Sequence, residues 1–257
     1  MDRPRDPLPT RVSDLPPLPA EYEAALDPGI AALGLQLDPA VRAAVDGHAR
    51  MLLAWTAAIN LTAIRDPEGV ARLHVLDSLS ALPLLRGLGA DALLDLGSGG
   101  GFPGLPLAAA LGVTRALLVD SVGKKVTFLR AAIEAVGLAG TVAAENARAE
   151  QLAHDRRHRE GWPVVVSRAV TDLTQLIEIG LPLVAPGGVL VAWKRYPVEE
   201  DLAAASMALH VLRAGPVTVH DVPVPGLETH CLVVVPRGGP IEAKYPRDPA
   251  DRKRRPL

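Results

Sequence analysis

The chain has 257 residues, of which 49% are hydrophobic and only 3% aromatic, and its formal charge at pH 7 is −2. This size and hydrophobic content suit one substantial domain with an accessory segment. The near-zero charge excludes a globally basic coat for nucleic acid but leaves room for a local basic patch. The lone cysteine, Cys231, excludes an intramolecular disulfide and a cysteine-based zinc cluster.

Neither a signal peptide nor a membrane span is visible in the sequence. The first residues lack the apolar stretch of a signal peptide, and no apolar run approaches the ~20 residues that a membrane helix needs. We therefore expect a soluble, cytoplasmic protein with no membrane partner.

The first 90 residues predict a tail followed by helices. Residues 1–20 are rich in Pro, Arg and Asp and have few large side chains to bury, which favours a disordered tail. Residues 21–90 predict a small helical segment. Its first pattern, over 21–37, is interrupted by Pro28-Gly29, and a stronger amphipathic helix begins at the N-cap dipeptide Asp38-Pro39.

Between residues 91 and 237 short apolar strands alternate with helices. The predicted strands are 93–96, 116–120, 142–145, 164–167, 189–193, 217–224 and 231–235, and the predicted helices are 103–111, 124–136, 171–184 and 199–212. This alternation is typical of an α/β domain with a seven-stranded, mostly parallel sheet between two layers of helices. Because only a few residues join the last two strands, they should form an antiparallel hairpin.

Residues 238–257 are predominantly basic and have little to bury. They predict a basic C-terminal tail in which Lys244 and Arg247 are available to a phosphate backbone. A solvated terminus without a partner is the alternative interpretation.

A glycine-rich turn follows the first predicted strand and precedes a helix. Glycines at 97, 99 and 101 remove the side chains that would block a ligand from the backbone, and they permit positive φ angles. In an open parallel sheet, ligands bind beyond the carboxyl ends of the strands, where the strand order reverses. Asp120 ends the second strand, and we expect it to accept hydrogen bonds from both hydroxyls of a ribose.

Two classes of cofactor use such a turn. Residues 99–104 formally satisfy the G-x-G-x-x-G pattern of dinucleotide sites, so an NAD(P)-dependent oxidoreductase is the weaker alternative. That class needs a catalytic Tyr/Lys or His dyad after the fourth strand, and Ser167-Arg168-Ala169-Val170 offers none. Asp95, just before the turn, would repel a pyrophosphate but suits the cationic methionine part of S-adenosylmethionine. The residues therefore favour a methyltransferase.

Several short motifs occur in one order along the chain. They are Asn60-Leu61-Thr62, His74-Val75-Leu76-Asp77-Ser78, the turn 95–104, Asp120-Ser121-Val122-Gly123-Lys124-Lys125, Arg148-Ala149-Glu150, Ser167-Arg168-Ala169 and Lys244-Tyr245-Pro246-Arg247. Over residues 40–257 the chain thereby resembles the bacterial 16S ribosomal RNA guanine-N7 methyltransferases, also called the glucose-inhibited division protein B family. Residues 1–38 lie outside the resemblance.

The resemblance implies a Rossmann-like class I methyltransferase fold with S-adenosylmethionine as the donor. The acceptor would be one guanine N7 in 16S rRNA, met as free RNA, in the small ribosomal subunit or in an assembly intermediate. A monomer without a metal is expected. Matched position by position, the family's cofactor contacts fall on Gly97, Phe102, Ala149, Glu150 and Arg168.

Arg168 follows the fourth strand and has two interpretations. An arginine at the end of an apolar strand in a buried rim needs an anionic partner. It would either clamp a cofactor carboxylate or an RNA phosphate, or pair with Asp95 or Glu150.

The RNA-facing side has its own candidates. Lys194 and Arg195 end the fifth strand, and a lysine there that simply extends to water is an equal alternative. His74, Asp77 and Ser78 lie one helical turn apart, where local helix support is the alternative to a polar patch. The full set is Asn60, His74, Asp77, Ser78, Lys194, Arg195, Lys244 and Arg247.

Guanine N7 carries a lone pair and no proton at neutral pH. Its methylation needs no general base, so we expect catalysis by alignment and no catalytic residue in the strict sense. Trp162 and Trp193 are candidates for stacking on a flipped base, although a place in the core is the simpler expectation. A methyltransferase for a small molecule or a protein is the main alternative, and the basic tail argues mildly against it.

Overall fold

The computed structural model describes residues 8–168 and 171–257. Its strands are β1 (Ala92–Leu96), β2 (Arg115–Asp120), β3 (Val142–Asn146), β4 (Trp162–Arg168), β5 (Val184–Arg195), β6 (Thr218–Asp221) and β7 (His230–Pro236). They form one seven-stranded sheet in the order β3-β2-β1-β4-β5-β7-β6. Only β7 runs antiparallel to its neighbours, so the predicted mostly parallel sheet with a final antiparallel hairpin is confirmed.

Helices cover both faces of this sheet. They are α1 (Ala20–Ala32), α2 (Pro39–Ile59), α3 (Pro67–Gly69), a π-helix (Val70–Leu76), α4 (Asp77–Leu79), α5 (Leu82–Gly87), α6 (Gly104–Leu111), α7 (Gly123–Ala135), α8 (Ala149–His154), α9 (Leu173–Gly180), α10 (Glu199–Ala204), α11 (Ser206–Val211) and α12 (Pro249–Arg254). Short 3₁₀ turns occur at Val12–Asp14 and Leu181–Leu183. Within the described ranges, no helix is long and apolar enough to cross a membrane.

Two hydrophobic clusters follow from the alternation of side chains along the central strands. Leu93 packs in the cluster that holds α2, α6 and α7, whereas Leu94 and Leu96 pack in the cluster that holds α8 and α9. Successive side chains of a strand point to opposite faces of the sheet. All five residues of β1 are consequently buried, which places the glycine turn at the centre of the sheet's carboxyl edge.

Several predicted boundaries move. The helix expected over 171–184 ends at Gly180, and β5 already begins at Val184. The helix expected over 199–212 is split in two at Ala205. α1 runs without a break through Pro28-Gly29. A side chain at Gly29 would have its Cβ only 2.2 Å from Leu76, so this glycine permits close helix packing and does not end the helix.

The prediction of a disordered tail over residues 1–20 is wrong for residues 8–20. Residues 1–7 lie outside the described part of the chain. Residues 8–19 lie against α2, where Trp55 Nε1 donates to Pro9 O at 2.8 Å and Arg50 Nε donates to Pro16 O at 2.8 Å. Val12 and Leu15 also pack on the core. The extended, proline-rich backbone is held because side chains of α2 use its carbonyl oxygens.

The C-terminal residues 238–257 are also folded against the domain. Arg159 Nη1 donates to Tyr245 O at 2.7 Å, and His154 Nε2 donates to Pro246 O at 2.8 Å. Arg247 makes a bidentate ion pair with the buried Glu178. The basic segment is therefore part of the folded domain, with α12 as its last element.

Candidate functional site

A cavity of about 380 Å³ opens at the carboxyl ends of β1, β2 and β3. Gly97 and Asp120 line it from the first two strands, Ala149 and Glu150 from the start of α8, and Ile179 from α9. We refer to it as the first cavity. Its position at the edge where ligands bind in open parallel sheets agrees with the prediction made from the glycine turn.

The glycine turn needs its positive φ angles. Gly97, Gly99 and Gly101 have φ values of 72°, 56° and 86°, a region that side chains other than glycine rarely adopt. At Gly101 a Cβ would also lie 2.8 Å from His48 Nε2. The turn therefore brings bare backbone to the cavity on one side and close to α2 on the other.

Asp120 links β2 to this turn. Its Oδ2 accepts from Gly99 N at 3.0 Å and its Oδ1 accepts from Val122 N at 2.8 Å. Each carboxylate oxygen has two lone pairs, so both oxygens retain capacity for a further donor. The carboxylate lines the cavity and fits the hydroxyl groups of a ribose.

Asp95 lies beneath the turn and does not line the cavity wall. It is fully buried, and its Oδ2 accepts from Gly104 N at 3.0 Å. Its Oδ1 is buried with no partner among the described residues. Burial raises the pKa of Asp95 to about 7. The side chain holds the start of α6 against the end of β1 and keeps an unused acceptor below the turn.

Phe102 is likewise placed below the turn. It is buried and stacks between two imidazoles, with ring centroids 4.2 Å from His48 and 4.9 Å from His74. The structure therefore gives this predicted cofactor contact a supporting place.

His48 is a site residue that the sequence did not identify. Its Nε2 donates to Gly100 O at 2.7 Å, which assigns the proton to Nε2. Burial lowers the pKa of His48 to about 4, so the imidazole is neutral near pH 7. Its place on the apolar stripe of α2, 52 residues before its acceptor, gave no local signal of this contact.

A second cavity, of about 450 Å³, lies at the carboxyl ends of β4 and β5. His74, Asp77, Arg168, Trp193, Lys194, Arg195 and His230 contribute to its lining. Thr171 borders both cavities, so the two are neighbours along the sheet edge. The second cavity has the more basic lining.

Arg168 is held by a network of buried groups. Its Nη1 donates to Leu73 O at 2.7 Å and to Asp77 Oδ2 at 2.8 Å, and its Nη2 donates to His74 Nδ1 at 3.0 Å. His230 Nδ1 contacts the other Asp77 oxygen at 2.8 Å. The expected anionic partner is therefore Asp77, and the alternatives Asp95 and Glu150 are wrong.

His74 is neutral within this network. Burial, followed by the nearby Arg168 charge, lowers its pKa to about 3. Because Nδ1 accepts from Arg168, the proton is on Nε2, which donates to Thr62 Oγ1 at 2.8 Å. The imidazole thus connects Arg168 to the loop between α2 and α3.

Two of the predicted RNA contacts use their side chains within the fold. Ser78 is fully buried, and its hydroxyl donates to His74 O. Arg247 uses its side chain on Glu178 and on Arg255 O.

The remaining candidates are spread over the surface. Lys194 and Arg195 line the second cavity, where Lys194 pairs with Asp201 at 3.1 Å. Asn60 is exposed at the end of α2, and Lys244 is exposed beside Glu242. The structure therefore brings together only His74, Asp77, Lys194 and Arg195.

The two tryptophans have different places. Trp162 is buried beneath the Arg115 guanidinium, whose Cζ lies 4.0 Å from the ring centroid. Trp193 lines the second cavity and donates from Nε1 to Asp77 O at 2.7 Å. Only Trp193 is placed where a base could approach.

The first cavity fits the nucleoside of S-adenosylmethionine. Asp120 and Glu150 bring carboxylates to its wall, which suit the hydroxyl and amino donors of a nucleoside. Among the residues that the structure covers, no group of three or more His, Cys, Asp or Glu side chains could hold a metal ion.

Comparison with solved structures supports the fold. The structure is similar to an O-methyltransferase from Bacillus cereus in complex with SAH, with a TM-score of 0.55 and 17% identity over 84% of this chain and 99% of that one. A SAM-dependent O-methyltransferase from Thermotoga maritima gives a TM-score of 0.51 and 15% identity over 74% of this chain and 72% of that one. The predicted class I methyltransferase fold is confirmed.

Comparison with known sequences identifies the family. The family model described as GidB, rRNA small subunit methyltransferase G, matches residues 42–226. Ribosomal RNA small subunit methyltransferase G of Roseiflexus sp. (strain RS-1) is 40% identical over 226 residues, covering 88% of this chain and 96% of that protein. The Sorangium cellulosum protein of the same name is 39% identical over 90% of this chain and 96% of that protein. The chain belongs to the rRNA small subunit methyltransferase G family.

Proposed function

We propose that this protein transfers a methyl group from S-adenosylmethionine to N7 of one guanine in 16S rRNA. The observation that carries the proposal is the meeting of two cavities at Thr171. One suits a nucleoside and the other has a basic lining, and they occur in a chain of an rRNA methyltransferase family. We further propose that the enzyme works as a monomer in the cytoplasm on the small subunit or its assembly intermediate.

The cofactor would be held mainly by the wall of the first cavity. Gly97, Asp120, Ala149 and Glu150 line it and are proposed as direct contacts. Asp95, Gly99, Gly101 and Phe102 shape the turn from behind or below. When bound, S-adenosylmethionine supplies an electrophilic methyl group on a sulfonium centre.

The RNA would approach over the second cavity. Arg195 is exposed at its rim, and Lys194 lies beside it. These cations suit the phosphates that flank a target nucleotide. Arg168 is fixed beside them by Asp77 and His74, so its charge has a defined position. Asn60 and Lys244 stay candidates for the outer RNA surface.

The described residues support a mechanism without a general base. Guanine N7 has a lone pair and no proton to remove, so the protein has only to align the base and exclude water. Both ring nitrogens of His74 are occupied by Arg168 and Thr62. His48 is neutral and already bonded to Gly100 O. These imidazoles hold the site's structure and leave the alignment role to the cavity walls.

The proposal is tested on 16S rRNA directly. RNA from cells with and without the gene is treated with borohydride and aniline, which cleave at N7-methylguanosine, and the stops are mapped by primer extension. One stop should disappear on deletion and return with the wild-type gene but not with Asp120→Asn. If every stop persists in the deletion strain, the proposal is wrong.

A matching assay with purified components separates the alternatives. The enzyme and radiolabelled S-adenosylmethionine are incubated with small subunits, with naked 16S rRNA and with a lysate freed of RNA. The proposal predicts label in the RNA. Label only in protein or small molecules of the lysate would support the alternative methyltransferase instead.

A further inference from the structure

Arg252, on the C-terminal helix α12, forms part of the wall of the first cavity. Its side chain is only 5% exposed and makes an ion pair with Glu150 at the start of α8. Its Nε is buried and has no hydrogen-bond partner among the described residues. A buried donor without a partner costs free energy unless another group satisfies it. Because this nitrogen has almost no accessible surface, a ligand in the cavity would meet the Arg252–Glu150 pair and not Nε.

The Arg252–Glu150 pair separates two spaces. Both residues line the first cavity, and both also line an open groove between α12 and the start of α9, where Asp172 and Leu257 contribute. The pair therefore closes one end of the first cavity.

Residues outside the cavity fix the position of α12. Arg247, just before the helix, is bound to Glu178, and Arg159 donates to Tyr245 O. The Asp248 side chain caps the helix by accepting from Ala250 N. Because these contacts do not involve Arg252, the arginine is not needed to anchor the segment that carries it.

The position of the pair defines which part of a nucleoside it meets. Asp120 lies at the end of β2, where it suits the ribose, and Glu150 lies on the neighbouring α8. A base attached to that ribose would extend toward Glu150 and Arg252. Adenine presents an amino group that donates and ring nitrogens that accept. Glu150 offers an acceptor for the amino group, and the Arg252 guanidinium holds that carboxylate in place.

We propose that Arg252 is a positioning and specificity residue for the adenine end of the cofactor. It holds the Glu150 carboxylate in place for the amino group of the base. The C-terminal helix α12 is then part of the cofactor site. This inference rests on the proposed assignment of the first cavity to S-adenosylmethionine.

The test measures binding, without turnover, by titration calorimetry on the full-length protein. The probes are S-adenosylhomocysteine and S-inosylhomocysteine, in which an oxo group replaces the amino group of the base. Arg252→Met should weaken binding of the first probe about tenfold or more, as expected for the loss of charged hydrogen bonds, and should reduce the preference for it over the second. Arg252→Lys should retain part of that preference.

Lys253→Met is the matched control. Lys253 is the exposed neighbour of Arg252 on the same helix, and its replacement removes the same charge. It should leave both affinities within about twofold of the wild type, because an exposed charge near a site contributes little. If Arg252→Met behaves like this control for both probes, the inference is wrong.

A second variant covers the case in which Arg252→Met does not fold. Glu150→Gln keeps the arginine and should also reduce the preference for S-adenosylhomocysteine over S-inosylhomocysteine. An unchanged preference would overturn the inference.

Two further outcomes test the proposed function itself. Failure of the wild type to bind S-adenosylhomocysteine refutes the cofactor assignment itself. Tight binding without methylation of 16S rRNA refutes only the RNA substrate and leaves the role of Arg252 intact.

Discussion

Replacing Gly101 by alanine tests how closely the glycine turn packs on α2. Gly101 has φ +86°, and its Cβ would lie 2.8 Å from His48 Nε2 and 3.3 Å from Leu129 Cδ2. The left-handed conformation costs an alanine about 1–2 kcal/mol, and overpacking adds about 1–3 kcal/mol. We therefore expect a loss of about 2–5 kcal/mol in the free energy of unfolding, together with weaker binding of S-adenosylhomocysteine.

Gly112→Ala is the matched control for this change. Gly112 also has a positive φ, +63°, but a Cβ at this position would have no neighbour within 4 Å. The variant should therefore lose only the conformational part, about 1–2 kcal/mol, and keep its cofactor affinity. Urea unfolding of both variants, compared at equal m-values, measures the difference. Equal losses for the two glycines would refute the reasoning, because they would show that the contact with His48 adds nothing.

Three further predictions concern buried polar groups. Arg247→Met should lower the free energy of unfolding, measured in urea, by about 3–5 kcal/mol because it leaves the buried Glu178 carboxylate without its ion-pair partner. Lys244 is exposed, so Lys244→Met should cost less than about 1 kcal/mol. Similar costs for the two variants would contradict this prediction. Burial raises the pKa of Asp95 to about 7, so the stability that the protonated carboxyl contributes is complete below about pH 4 and is lost as the pH rises toward 7. Asp95→Asn should therefore gain up to about 4 kcal/mol in the free energy of unfolding relative to the wild type over that range. Parallel pH profiles of unfolding for the two proteins would contradict this prediction. The ¹⁵N NMR spectrum of His48 should show a neutral ring protonated on Nε2 at pH 6, and an imidazolium signature there would refute the assignment.

The sheet and the glycine turn were predictable because their signals are local. An apolar run, a carboxylate and clustered glycines occur within twelve residues around Asp95, and a second apolar run ends in the same way at Asp120. A ligand site that needs bare backbone needs glycine, and glycines can be read from the sequence. The parallel strands and the antiparallel hairpin then follow from the crossover units and the short last connection.

The contacts that complete the site were not predictable from the same signals. Arg168 meets Asp77 across 91 residues, and Arg252 meets Glu150 across 102. Periodicity reports which face of an element is apolar, but it does not report which charged side chains meet after folding. The partner of Arg168 was consequently sought among nearby candidates and found on a helix from the N-terminal segment.

Composition was misleading for the two ends of the chain. Both ends have few large apolar side chains, which is typical of disorder. Their order depends on a few apolar side chains and on backbone carbonyls, which accept from Trp55 at one end and from Arg159 at the other. Every residue carries a carbonyl acceptor, so this kind of anchoring leaves no trace in residue composition.

The insertion of β7 between β5 and β6 sets an order of events during synthesis. β6 pairs only with β7, and the apolar strand β5 is made well before its partner β7 leaves the ribosome. Until residue 230 has emerged, β5 has an open edge that can pair with the strand of another chain. A chain truncated before β7 should therefore aggregate, even though most of the nucleoside cavity has already been translated.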